Sequence, residues 1–127
     1  MNEPVSTWMK QPVVPLDMDH TVEEVDQLFA THGLSWAPVL ERDKGVVGVI
    51  STADLLQFHA RGGNAAQVRA WQMCTYKPIS VDASTPLVEV ARQMIARKVH
   101  HVVVTQGGKV AGVMSSLDFV QAFVAGR

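Results

Sequence analysis

A single cysteine, Cys74, stands in 127 residues, so no internal disulfide can staple the fold and the composition fits a reducing compartment. An excess of charge of one sign is missing too: the formal net charge of −1 gives no general pull toward nucleic acid or an anionic membrane. No apolar run approaches the ~20 residues that span a bilayer. The opening Met1-Asn2-Glu3-Pro4 lacks the basic-then-apolar order of a secretory signal. A cytoplasmic protein with neither a nucleic-acid nor a membrane partner is expected. Catalytic signatures are equally scarce. There is no G-x-S-x-G, no phosphate loop and no Rossmann glycine pattern. Cys74 has no CxxC or HxxxH partner, and the neighbours His100 and His101 would point to opposite faces of a strand. Neither an enzyme nor a metal site is expected.

What is present is apolar and periodic. Hydrophobic residues make up 47% of the chain and charged residues 18%, the balance of a globular domain with a real core. Val5-Ser6-Thr7-Trp8-Met9 reads as a short helical lead-in, and the prolines make residues 12–16 extended. Thr21-Val22-Glu23-Glu24 has the spacing of a capping box. Val22, Val25, Phe29 and Ala30 follow near a 3.6-residue period, and Gly33 is placed to end the helix in a left-handed cap. Strands are expected over 35–41 and 46–50, around a turn at residues 42–45. A helix with Leu55, Leu56 and Phe58 on its apolar face comes next. The breaker-rich Arg61-Gly62-Gly63-Asn64 then divides the chain.

The second half repeats this order. Residues 68–71 echo the lead-in and residues 77–81 are extended again. Thr85-Pro86 opens a helix whose apolar series is Leu87, Val90, Ala91, Met94 and Ile95. Strands over 101–105 and 110–114 flank Gly107-Gly108, and a helix runs from about 116 to 124. Matching helix positions lie 65 residues apart, as in Val25 and Val90; after the second turn the spacing is 64, as in Gly48 and Gly112. The chain therefore divides into residues 1–61 and 65–127. Each half is too small to be more than marginal alone, and two copies with facing sheets would share a core. The expected architecture is α+β: two pseudo-symmetric repeats, each strand-helix-strand-strand-helix, packed sheet to sheet with clefts where they meet.

The twin stretches Gly48-Val49-Ile50-Ser51-Thr52-Ala53-Asp54-Leu55 and Gly112-Val113-Met114-Ser115-Ser116-Leu117-Asp118-Phe119 carry the chemistry. Each sends a strand into a helix with a hydroxyl and a carboxylate three residues apart. Read locally, Ser51/Asp54 and Ser115/Asp118 are helix caps. Read as a pair, they are two half-sites. A carboxylate repels anions and accepts from hydroxyls, so the aspartates suit the hydroxyls of a ligand, while the serines and the helix N-termini suit an anionic group. Arg97, Lys98, His100 and His101 make the second half the more cationic. The cleft they reach is expected to favour a phosphorylated ligand.

Duplicated units closing on G-h-h-S/T-x-x-D-h resemble the cystathionine β-synthase (CBS) domain pair, over about residues 5–124. The second repeat has Val103 where the first has Pro38, and both motifs use serine where threonine is common. The resemblance implies a regulatory module rather than a catalyst, binding an adenosine-containing ligand such as AMP, ADP or ATP and signalling, as an energy sensor does, to a partner protein. It also implies a homodimer, for which the apolar helices after each motif offer a surface. The implied ligand residues are Ser51, Asp54, Ser115 and Asp118, with Val13, Val14, Pro78 and Ile79 around the base, Tyr76 as a stacking partner, and His100 or His101 near phosphate. A docking module without a ligand and an S-adenosylmethionine sensor remain alternatives.

Overall fold

A computed structural model of the chain describes residues 2–42, 45–76 and 78–126. The expected turn at Asp43-Lys44 and the extended position Lys77 lie outside them. Two compact units form: Val14–Pro78, and Met1–Val13 together with Ile79–Arg127. The chain is α+β, with two sheets and, among the described residues, five α-helices. None of these helices is long and apolar enough to cross a membrane.

In the unit Val14–Pro78, β1 (Leu16–Asp17) leads into α1 (Val22–His32), then β2 (Trp36–Leu40), β3 (Val46–Ser51), α2 (Thr52–Ala60), α3 (Ala70–Met73) and β4 (Thr75–Tyr76). The sheet order is β1-β2-β3-β4, with β1 parallel to β2 and the other pairs antiparallel. A parallel neighbour requires a crossover, and α1 supplies it. Thr21 and Glu24 form the expected capping box, and Gly33 closes α1 in the left-handed region at φ 61°. Leu16, Val22, Val25, Val39 and Ile50 are fully buried in the core between α1 and the sheet. The apolar face assigned to α2 holds only in part: Leu55 is buried, but Leu56 is 71% exposed.

The other unit begins with a 3-10 turn, Val5–Thr7, and resumes with β5 (Ser80–Asp82), α4 (Leu87–Arg97), β6 (His101–Gln106), β7 (Lys109–Ser115) and α5 (Ser116–Ala125). The sheet order β5-β6-β7 repeats the parallel-then-antiparallel pattern. Its core takes Val5, Leu87, Val90, Val102, Val104 and Met114. Pro86 is the N-cap of α4 rather than its first helical residue. Ile95, placed on the apolar face by periodicity, is 77% exposed. Lys98 takes the left-handed position at φ 55° that Gly33 takes in the first repeat.

The compact units cut the sequence differently from its repeats, because each lead-in packs beneath the other repeat's motif. The N–H of Leu87, in the first turn of α4, donates to the carbonyl of Glu3; the N–H of Val22, in the first turn of α1, donates to that of Val68. These orphan donors need such partners, and both pairs obey the same 65-residue spacing. Further along, Lys10 bridges to Val113 and Thr75 pairs with Val49. The motif glycines make room for this approach: a Cβ on Gly112 would lie 2.6 Å from Met9 Sδ, and one on Gly48 would lie 2.5 Å from the Thr75 carbonyl oxygen.

Candidate functional site

At the junction of β3 and α2, the Ser51 N–H donates to Asp54 Oδ2 at 2.8 Å and the Asp54 N–H donates to Ser51 Oγ at 3.2 Å. This reciprocal pair satisfies two backbone donors at the helix start. Both residues are half-buried. Cys74 packs close by, with its Sγ 2.8 Å from where a Gly48 Cβ would sit. Burial pushes the Cys74 thiol up, and the Asp54 charge adds to this, so the sulfur stays protonated. The hydroxyl of Tyr76 donates to the Trp71 carbonyl oxygen.

The junction of β7 and α5 repeats the cap in a more buried setting. The Ser115 N–H donates to Asp118 Oδ2 at 2.7 Å, the Ser115 hydroxyl donates to the same oxygen at 3.0 Å, and the Asp118 N–H donates to Ser115 Oγ at 3.3 Å. Asp118 is 5% exposed. Its second oxygen, Oδ1, finds no hydrogen-bond partner among the described residues. The Lys10 ammonium stands 3.2 Å from Oδ1, near enough to pair its charge but outside hydrogen-bonding geometry. One carboxylate is thus divided between two tasks. Oδ2 closes the helix cap, and Oδ1 keeps its acceptor capacity beside a cation, an arrangement that suits the hydroxyls of a bound ligand. His101, paired with Ser115 across β6 and β7, is half-buried. Burial pushes its imidazole below the ordinary histidine value, the neighbouring His100 adds to this, and Asp118 partly opposes it.

The remaining expected site residues fall into place unevenly. Val13, Val14 and Pro78 are half-buried, whereas Ile79 is 6% exposed and part of the core. Tyr76 is 53% exposed on the edge strand β4. His100 is exposed; with Lys98 it borders an apolar groove of about 450 Å³ between α4 and α5, floored by Met94, Phe119, Val120 and Phe123. Arg97 is exposed at the end of α4. Of the second-half basic residues named from sequence, His101 pairs with Ser115 across the strands and the His100 carbonyl oxygen accepts from the Ser116 N–H at 2.9 Å. The cation that stands at the carboxylate is Lys10, which sequence reasoning missed. Its signal was the repeated lead-in, since the 65-residue spacing sets Lys10 against Thr75.

A family model described as "CBS domain" matches residues 5–61 and again residues 68–125. The chain belongs to the CBS domain family. Both matched stretches end in the helix that carries the serine–aspartate cap, so the twin junctions are the corresponding points of two CBS repeats. Among curated proteins, the chain is 25% identical over 115 residues to an arabinose 5-phosphate isomerase of Escherichia coli O6:H1, covering 90% of this chain but 35% of that protein. The chain therefore spans about a third of that relative's length. Among solved structures, it superposes with a TM-score of 0.85 and 18% identity on the CBS domain pair of a protein in complex with 5-methylthioadenosine and S-adenosyl-L-methionine, covering 98% of both chains. It superposes with a TM-score of 0.84 and 23% identity on the CBS domain of a bacterial CNNM/CorC family magnesium transporter in complex with ATP, covering 96% of this chain and 87% of that one. At such identities these likenesses establish the CBS fold.

The CBS helices of the two repeats differ in one respect. In the first, His59 Nε2 of α2 meets Asp26 Oδ2 of α1 at 2.8 Å. The corresponding positions in the second are Phe123 and Ala91, which line the groove between α5 and α4. One helix pair is closed by a polar link where the other stays apolar and open.

Proposed function

We propose that this CBS pair is a regulatory module that binds an adenosine nucleotide of the AMP, ADP or ATP type and passes the bound state to a partner protein. The observation that carries this reading is Asp118 Oδ1 at the N-terminus of α5, a buried carboxylate oxygen with no hydrogen bond among the described residues. Leaving such an oxygen without donors is unfavourable, and ribose hydroxyls supply the donors it lacks. The adenosine ligands of the two similar CBS structures support the choice of ligand class. Asp54 is the counterpart in the first repeat, and Ser51 and Ser115 hold both carboxylates in position. Val13, Val14, Tyr76, Pro78 and Ile79 are the proposed surroundings of the base, with His100 and His101 toward phosphate. A response to adenylates would make the module an energy sensor.

A second copy of the chain is the proposed occupant of the α4–α5 face. Ile95, Leu117, Val120 and Val124 are each more than half exposed there, beside an open groove that the first repeat replaces with a polar pair. Apolar area of this kind is what a self-complementary two-fold contact covers.

Thermal denaturation with AMP, ADP, ATP and S-adenosylmethionine tests the ligand reading. Saturation at 100 times the dissociation constant adds roughly 2.7 kcal/mol and raises the midpoint by several degrees. Absence of any shift at millimolar ligand would favour the docking module, and a shift with S-adenosylmethionine alone would favour that sensor. Light scattering on the same samples reads twice the 13.9 kDa chain mass if the second copy is correct.

A further inference from the structure

The Asp118 junction contains a cation that the paired motif does not account for. Lys10 reaches it because the lead-in lies along β7: the Lys10 N–H donates to the Val113 carbonyl oxygen at 2.8 Å and the Val113 N–H donates to the Lys10 carbonyl oxygen at 3.1 Å. These two hydrogen bonds fix the Lys10 backbone, while its side chain is 67% exposed against 6% for that of Asp118. The ammonium therefore sits at the mouth of the junction on a flexible four-carbon stem, with a buried carboxylate oxygen behind it and solvent in front. The equivalent register in the first repeat, Thr75 against Val49, places a neutral side chain there.

We propose that Lys10 is the residue by which the Asp118 half-site distinguishes a phosphorylated adenosine ligand from the bare nucleoside. The proposal rests on the adenosine reading above. Hydroxyls of the ribose complete the hydrogen bonding of Oδ1, and the ammonium, compact and free to turn, meets a phosphate carried by the same sugar. A nucleoside without phosphate engages Oδ1 but gives Lys10 no anion. Asp118 sets the sugar, and Lys10 sets the charge. The corresponding half-site in the first repeat, with Thr75 at this register, should discriminate less.

Site-resolved titration tests this. The backbone amides of Ser115 and Asp118 are followed by ¹⁵N NMR while adenosine, AMP or ADP is added to the full chain. For the wild type, AMP and ADP are expected to bind the Asp118 half at least about tenfold tighter than adenosine. Lys10→Met should shrink that ratio several-fold with adenosine affinity little changed, the remaining preference belonging to His100 and His101, and Lys10→Arg should restore it. An undiminished preference in Lys10→Met overturns the role of Lys10 and leaves the adenosine reading standing. An equal fall for adenosine and for AMP also overturns it, assigning Lys10 only to holding the carboxylate. If none of the three compounds moves those amides in the wild type, the adenosine reading and this inference fall together.

Discussion

Gly48 and Gly112 occupy the same place in the two repeats yet face different neighbours. A Cβ on Gly48 would collide with a backbone carbonyl, that of Thr75 at 2.5 Å, and with Cys74 Sγ at 2.8 Å. On Gly112 the collision is chiefly with the Met9 side chain, whose Cγ and Sδ can swing aside. Gly48→Ala should thus lose about 1–3 kcal/mol of stability, the usual penalty of overpacking, and Gly112→Ala distinctly less. Chemical denaturation of both variants gives the comparison, and equal losses would contradict it. At this scale the serine–aspartate pairs were legible in the sequence because a cap is local: the spacing of three residues already implies the hydrogen bonds. The partition of Asp118 between Oδ2 and Oδ1 was not, since it depends on a lysine from the far end of the chain.

The helices α1 and α4 show how one element can be built by two sequences. α1 opens on a side-chain capping box and closes on glycine; α4 opens on proline with no side-chain cap and closes on Lys98 in the left-handed region. A non-glycine residue is strained there. Lys98→Gly should raise stability by about 1 kcal/mol, a few degrees in the thermal midpoint. An unchanged or lower midpoint would mean that Lys98 contributes an interaction that offsets the strain. Periodicity located α1 and α4, the twin strand-to-helix motifs marked the starts of α2 and α5, and the αL glycine was predictable from its place after the last apolar residue. The two-residue strands β1 and β4 and the 3-10 turn carry no period, which is why the sequence outlines β1 and the turn only as extended and lead-in segments and leaves β4 unassigned between residues 71 and 77. Ile95 shows the limit of pattern: its spacing says apolar face, while its 77% exposure puts it outside the core.

For the whole molecule, the sequence repeats and the compact units are different partitions of one chain. Val5 lies in the first repeat but is fully buried in the core that holds Leu87, Val102 and Met114. Val5→Ala should destabilise the protein by about 1–3 kcal/mol. Amide hydrogen exchange should accelerate mainly within residues 79–126, with 14–78 little affected. Faster exchange confined to residues 14–61 would instead align stability with the repeats. Duplication was plain in the sequence, because period and motif recur together. Which lead-in serves which repeat was hidden, because both assignments preserve the same spacing.

The exchange of lead-ins has an implication for descent and for engineering. A polypeptide holding one repeat lacks the strand and the carbonyl that complete it, yet a second identical molecule carries both. Two such molecules could finish one another by trading arms, as in a swapped dimer. Fusing the pair through the segment around Gly62-Gly63 converts that trade into an internal one, removes its dependence on concentration, and frees the two copies to diverge. Lys10 and Thr75, or Asp26–His59 and Ala91–Phe123, are what that freedom looks like after use.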